Sequence, residues 1–547
     1  MMNLMSCPFH KTVKTIWGLC ADKRLAAYSL GAALHSLLTM AVPFFLGLFI
    51  DSLITGENPR RFFLISAGVA LLAWGMDLFL RNMIIRIART RELQLQYRLL
   101  ESFQSMKPAA VDAYANGEIA MKFYRDTGNI EQFIAGFYPQ FLNMFFGFVW
   151  ALLIVLYKKP SVVVLYLFFL PALFACSGFY VKKLAAAAHA IRFMYDHSIN
   201  RIFEIMRIFP YLKSMAADEP YFSAPKAMFR TYRRVNTIND KTMMMFEFIN
   251  RFFLIAGEYS VLGFAGWMAW KKKIPVGDVV MFQILFLSVL NSFSGMFQML
   301  PNWKTARESM DSVCELLNTP DTEDVDSNQP VPSAFADISV KNLSFQYTGT
   351  KPVFHDFSCE IKAGTIVALT GINGSGKTTL LKLLTGYLTP SSGHVEIGGK
   401  PLGSCQLKSF RQKISYVFQD SLLISGTLKD NITLKNIRYT EADIFEALLL
   451  SGADELVSRV PGGLNYKVGQ NGDGLSGGER QKIAVARALI RKPEILVFDE
   501  VTNHLDYQSR TRVRDLILSF RGKVTVFMVS HDPELVKLCD QEINLAL

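Results

Sequence analysis

Residues 366–379 read Ile366-Val367-Ala368-Leu369-Thr370-Gly371-Ile372-Asn373-Gly374-Ser375-Gly376-Lys377-Thr378-Thr379. A short apolar run, a glycine-rich turn and then helix formers is the pattern of a buried strand, a tight loop and a helix. The glycines let the backbone curl so that successive N–H groups point at one anion, and a helix opening near Lys377 adds its positive dipole end. The spacing G-x-x-x-x-G-K-T is that of a phosphate-binding loop, in which Lys377 is expected to reach the β- and γ-phosphates and Thr378 to bind Mg2+. The loop by itself leaves kinases, GTPases and many ATPases open.

Further along, Ile495-Leu496-Val497-Phe498-Asp499-Glu500 is a strand apolar on both faces that ends in two carboxylates. In a parallel sheet that end is where ligands bind. Asp499 is expected to hold Mg2+, mostly through water, and Glu500 to act as general base on the attacking water. Other expected strands are Ile338–Tyr347, Thr365–Thr370, Ser415–Phe418 and Val524–Val529, with helical segments between them after Lys377 and Gly478. That alternation predicts an α/β domain on a largely parallel sheet.

Leu475-Ser476-Gly477-Gly478-Glu479-Arg480-Gln481 narrows the field, because it resembles the signature sequence of ABC ATPases. The resemblance implies that Ser476, Gly477 and Gly478 open a helix that closes over ATP held by the loop of a second copy. It also implies roles for Tyr347 (stacking on adenine), Gln419 (linking Mg2+ to the membrane domain), Asp506 (communication across the dimer) and His531 (contact with the γ-phosphate). The implied ATP contacts are Tyr347, Gly371, Asn373, Gly374, Ser375, Gly376, Lys377, Thr378, Thr379, Gln419, Ser476, Gly477, Gly478, Asp499, Asp506 and His531. Catalytic roles fall to Glu500, His531, Lys377 and Gln419, and Mg2+ to Thr378, Gln419 and Asp499. Lys467–Gly472 and the pair Gly117-Glu118 followed by Asp126 resemble elements of the exporter branch. Three positions depart from the family pattern: Gln470 for a usual glutamate, Asn503-His504 for serine-alanine, and Asp532-Pro533 after the histidine, where a basic residue is more common.

Towards the amino terminus the character changes. Half of the 547 residues are hydrophobic, with 43 Phe and 22 Met, and the excess lies before Pro301. Six apolar stretches, 25–50, 62–85, 133–156, 162–181, 252–270 and 276–300, each come near the ~20 residues needed to cross hydrocarbon. The connections 86–132 and 182–251 are long, polar and rich in helix formers, which predicts two helical hairpins leaving one membrane face. Lys and Arg crowd those two loops and the amino-terminal stretch, so both hairpins and both termini are expected in the cytoplasm. This bias accounts for the net charge of +11 without nucleic acid, since no dense basic run with interleaved aromatics occurs. Seven scattered cysteines without a C-x-x-C pair suggest neither a zinc site nor a disulfide framework. Phe9, Val13, Ile16 and Trp17 at helical spacing predict an interfacial helix on the inner surface.

The expected architecture is therefore an α-helical six-span membrane domain of ABC exporter type over 1–317, a linker over 318–337, and an α/β P-loop ATPase domain over 338–547. Ionisable and polar groups in spans are cargo-site candidates: Glu258, without an evident local partner, Asp77 and Arg81, four apart and able to pair, Asn291, Gln298 and His35. Arg60, Arg61, Lys158, Lys159, Lys271, Lys272 and Lys273 predict a basic outer rim, favourable to anionic cargo. The function implied is that of an exporter half-transporter, hydrolysing ATP with Mg2+ and working by alternating access with a second half-transporter, the homodimer favoured over a heterodimer. The expected setting is the bilayer of the inner membrane. Peptide or another amphipathic compound leads as cargo, with a lipid flippase or multidrug exporter as the alternative and an ATP-gated channel or regulator behind.

Overall fold

The computed structural model describes residues 23–112, 114, 118–216, 218–319, 335–347, 351–469, 472–501, 507–530 and 532–545. The expected interfacial helix over residues 9–17 lies outside the described residues, as does most of the expected linker. Two compact units divide the chain: Met1–Gln104 with Ala115–Thr319, and Ser105–Tyr114 with Pro320–Leu547.

The first unit is helical. Its elements are α1 (Lys23–Thr55), α2 (Pro59–Ser105), α4 (Glu118–Lys158), α5 (Val163–Ser214), α6 (Asp218–Trp270) and α7 (Val276–Leu317), while the short α3 (Pro108–Asp112) belongs to the second unit. Among the described residues, five helical stretches are long and apolar enough to cross a membrane: Lys23–Thr55, Pro59–Ser105, Glu118–Lys158, Tyr221–Trp270 and Val276–Phe293. The remaining expected span, 162–181, falls at the start of α5, where many side chains lie outside the described residues. At 52 and 53 residues, α5 and α6 are each roughly 80 Å long, far more than a ~30 Å hydrocarbon layer holds. Their polar ends therefore form the long hairpin that residues 182–251 predicted.

Close helix approach in this unit depends on glycine. A Cβ added at Gly277 of α7 would sit 1.9 Å from the Gly47 carbonyl oxygen of α1, and one at Gly257 of α6 would sit 2.5 Å from the Phe286 ring. Small residues at such crossings let backbones touch where lipid gives no hydrophobic drive. Around them Met281, Phe282, Leu285 and Phe286 of α7 are fully buried with Val261 and Ala265 of α6. Two acids stand at the start of α7: Asp51 accepts from the Gly277 backbone N–H at 2.6 Å, and Asp278, in the first turn, accepts from Lys158 at 2.8 Å. Negative charge there complements the helix dipole. Lys158 is thus engaged inside the helix bundle, and the expected basic rim loses one of its members; Lys271 and Lys273 lie over the Trp267 ring.

The α4 helix contains two π turns, Lys122–Asp126 and Phe133–Phe137. The first π turn holds two buried charged groups, Lys122 and Asp126, and its polar contacts run to α7. Asp126 accepts from Ser309 of α7 at 3.1 Å, Asn129 donates to the same hydroxyl at 2.9 Å, and Lys122 meets Glu315 at 3.1 Å.

Among the described residues the second unit carries eleven strands: β1 (Ile338–Gln346), β2 (Pro352–Ile361), β3 (Ile366–Thr370), β4 (Ser392–Ile397), β5 (Lys400–Pro401), β6 (Ile414–Val417), β7 (Gly426–Thr427), β8 (Lys467–Val468), β9 (Ile495–Asp499), β10 (Thr525–Val529) and β11 (Gln541–Asn544). A five-stranded sheet runs β11-β3-β10-β9-β6, every neighbouring pair parallel, and an antiparallel sheet runs β2-β1-β4-β5. Alternation along the central strands sends side chains to two cores. Val367, Leu369, Val497 and Phe527 join α8 (Lys377–Leu384) and the antiparallel sheet, whereas Leu496, Phe498, Val526 and Met528 join α9 (Glu441–Ser451), α10 (Gly477–Leu489) and α11 (Tyr507–Ser519). Burial on both faces is why these strands read as unbroken apolar runs.

Candidate functional site

The loop after β3 adopts a conformation that few residues other than glycine reach. Gly371, Gly374 and Gly376 have φ of 142°, 86° and 95°. Gly376 is also the N-cap of α8, and a Cβ there would strike Val353 at 2.7 Å and Phe354 at 2.8 Å. Lys377 is buried and donates to the Gly371 and Ile372 carbonyls at 2.9 and 3.1 Å, so its ammonium closes the loop into a ring. The Ser375 hydroxyl is buried in the loop without a hydrogen-bond partner among the described residues. An unsatisfied donor in a glycine loop closed by a lysine fits a phosphate group.

At the adjacent strand ends, Asp499 closes β9 with its carboxyl buried. Burial raises its pKa, against the lowering effect of hydrogen bonds from Tyr416 and Thr378. The Tyr416 hydroxyl donates to Asp499 Oδ2 at 2.9 Å. Glu500 follows with φ of 53°, its N–H donating to the Val529 carbonyl at 3.1 Å and its carboxylate accepting from the Gln419 amide at 2.8 Å. A non-glycine residue in the left-handed region costs about 1–2 kcal/mol, a strain typical of functional positions. Lys377, Thr378, Gln419, Asp499 and Glu500 are thereby gathered at one end of the parallel sheet. Tyr347 joins them through α8: its hydroxyl lies 3.1 Å from the Thr379 hydroxyl and its half-exposed ring stands edge-on to Phe345. Asn373 and Gly374 are exposed at the loop tip.

Ser476 is the N-cap of α10, with a reciprocal capping box. Its hydroxyl accepts from the Glu479 N–H at 3.3 Å and the Glu479 carboxylate accepts from the Ser476 N–H at 2.8 Å. Arg459 holds the other Glu479 oxygen. Gly477 and Gly478 form the first turn, and no hydrogen bond among the described residues joins this helix start to the Lys377 loop. Asp506, His531 and Gln470 lie outside the described residues. Asp532 has a structural task of its own, capping the short helix Pro533–Val536 by accepting from the Glu534 N–H at 2.9 Å.

The span candidates do not converge through any contact among the described residues. Asp77 pairs with Arg81 on its own helix at 2.7 Å, and His35 faces Thr39 one turn on at 3.5 Å. Glu258 has a partner after all, the Gln283 amide of α7 at 2.8 Å, which corrects the expectation of a lone acid. Asn291 is exposed, and the Gln298 side chain lies outside the described residues. The sequence reading missed Tyr416, Gln283, Ser309 and Glu315, whose partners are distant in the chain. Tyr416 was legible only as a strand residue.

A helical membrane unit and a P-loop nucleotide-binding unit on one chain define the class. The family model of the ABC transporter transmembrane region matches residues 25–293 and the family model described as ABC transporter matches 354–503. The chain belongs to the ABC transporter family, in the half-transporter layout that joins one membrane domain to one ATPase domain. Among curated relatives it is 33% identical over 271 residues to the leukotoxin translocation ATP-binding protein LktB of Mannheimia haemolytica, covering 49% of this chain and 38% of that protein. The exotoxin translocation ATP-binding protein PaxB of Pasteurella aerogenes is 33% identical over 272 residues, with 49% and 38% covered. The match therefore spans well under half the length of these relatives. A solved bacterial Atm1-family ABC exporter with ATP bound shares the fold, with a TM-score of 0.83 at 19% identity, covering 95% of this chain and 93% of that one.

Proposed function

We propose that this chain is half of an ATP-hydrolysing exporter that works as a dimer by alternating access. The observation that carries the proposal is the gathering of Lys377, Thr378, Gln419, Asp499 and Glu500 at one sheet end, on the same chain as the long apolar helices. In this reading the glycine loop and Lys377 bind the β- and γ-phosphates of ATP, and Tyr347 stacks on the adenine. Glu500 takes the proton of the attacking water, with Gln419 setting its carboxylate. Thr378, Gln419 and Asp499 are hard oxygen donors suited to Mg2+, and they would hold the ion that neutralises phosphate charge. Ser476 and its helix start, joined to the Lys377 loop by no hydrogen bond among the described residues, close over ATP on a second copy, and Asp506 and His531 complete that composite site. Intact candidate groups on one chain favour a homodimer.

The Lys and Arg bias of the loops supports an orientation with the ATPase unit and both hairpins on the cytoplasmic side of an inner membrane. A peptide cargo leads, supported by the toxin-translocation names of the relatives, which match 49% of this chain. In lipid nanodiscs, Glu500→Gln should abolish ATP turnover while ATP still binds. Full turnover by that variant, or by a strictly monomeric preparation, overturns the proposal.

A further inference from the structure

Strands β6 and β9 run parallel, with Tyr416 opposite Val497 and Val417 opposite Phe498. Tyr416 thus starts two residues below the level of Asp499, and its ring spans that height to place the hydroxyl 2.9 Å from Oδ2. The ring is itself fixed, stacked on Phe418 with centroids 4.1 Å apart and packed against the core that holds α8. The torsion that turns a carboxylate is broad and soft, so a buried aspartate without firm donors has no single orientation. We propose that Tyr416 is a positioning residue whose hydroxyl fixes the Asp499 carboxylate in the orientation that receives the hydrated Mg2+ of bound Mg2+–ATP. The role proposed for Tyr416 is indirect, exerted through Asp499. Thr378 of the phosphate loop also lowers the pKa of this carboxyl, and the Tyr416 hydroxyl at 2.9 Å is the donor that the geometry fixes. The inference rests on reading Asp499 as the metal-side carboxylate.

The test is binding of a fluorescent ATP analogue to the full chain in detergent, in EDTA and across a Mg2+ titration, without turnover. For Tyr416→Phe, affinity in EDTA should stay at the parent value. The Mg2+ concentration that half-saturates the enhancement should rise about tenfold, as expected when a ligand loses its outer-shell partner. Phe418→Ala keeps the hydroxyl and should leave the Mg2+ curve nearer the parent than Tyr416→Phe does. Equal loss of affinity with and without Mg2+ would make the tyrosine a packing group only and overturn the inference. So would an unshifted Mg2+ curve in Tyr416→Phe. A parent protein whose nucleotide binding ignores Mg2+ would instead refute the reading of Asp499 on which the inference stands.

Discussion

The side-chain amide of Gln419 lies 2.8 Å from the carboxylate of Glu500, two strand ends joined by one hydrogen bond. Gln419 follows β6 and Glu500 follows β9, so movement of one segment is felt at the other. Replacing Gln419 by Ala releases the carboxylate from its donor. Turnover should fall about tenfold, the worth of a hydrogen bond to a charged group, while nucleotide affinity in EDTA stays unchanged. Steady-state ATPase assays beside equilibrium binding check this, and an equal loss in both would remove the link to Glu500.

Lys377 should matter to the ligand more than to the fold. Its ammonium bridges two carbonyls of its own loop. Lys377→Ala should weaken ATP binding at least about 100-fold, the loss of a buried charged contact of 3 kcal/mol or so. Thermal unfolding without nucleotide should move far less. A variant that binds ATP as the parent does would show that the loop takes some other ligand.

The Lys158–Asp278 pair is a stability element of the helical unit, with only 7% of the Asp278 side chain exposed. Removing one partner strands the other, and Lys158→Ala should cost about 3 kcal/mol. Lys158→Met with Asp278→Leu should recover most of that loss, measured by unfolding in detergent. No difference between the single and double variants would place the pair in solvent.

Gly277 and Gly68 should answer an added methyl group oppositely. A Cβ at Gly277 would lie 1.9 Å from the Gly47 carbonyl, whereas one at Gly68 meets nothing within 4 Å. Gly277→Ala should cost 3 kcal/mol or about that much through overpacking, and Gly68→Ala should gain about 1 kcal/mol of helix propensity. Matching unfolding temperatures for the two variants would contradict the close crossing of α1 and α7.

Asp443 closes the capping box of α9, and its hydrogen bonds from the Thr440 hydroxyl and backbone N–H, with a third from Lys492, hold its pKa at about 2 against an ordinary 3.8. A depressed carboxyl stabilises the fold fully above its unfolded value and loses that contribution only as pH falls towards 2. The difference in unfolding temperature between the parent and Asp443→Asn should therefore be flat from about pH 8 to pH 5. A gap that closes within that window would mean another group supplies it.

What could be read ahead of the structure was governed by sequence distance. The Lys377 loop, the β9 strand and the Ser476 helix start are local, each written in fewer than ten consecutive residues, and the structure forms all three. The β2 strand escaped notice because both of its faces are partly exposed and His355, Asp356 and Glu360 interrupt its apolar residues. Tyr416 and Asp499 stand 83 residues apart, Lys158 and Asp278 stand 120 apart, and Glu258 and Gln283 meet only because α6 packs on α7. Such pairs are set by strand order and helix crossing, which periodicity does not encode.

The left-handed backbone at Glu500 has a consequence for how this chain would decay. Glycine at that position would relax the turn and make the domain sturdier, since nothing in the twist favours a carboxylate. A lineage that no longer needed its motor would have a downhill route open at residue 500, one codon from a calmer fold. An acid that stays there holds its ground against stability, and only the work it does can keep it.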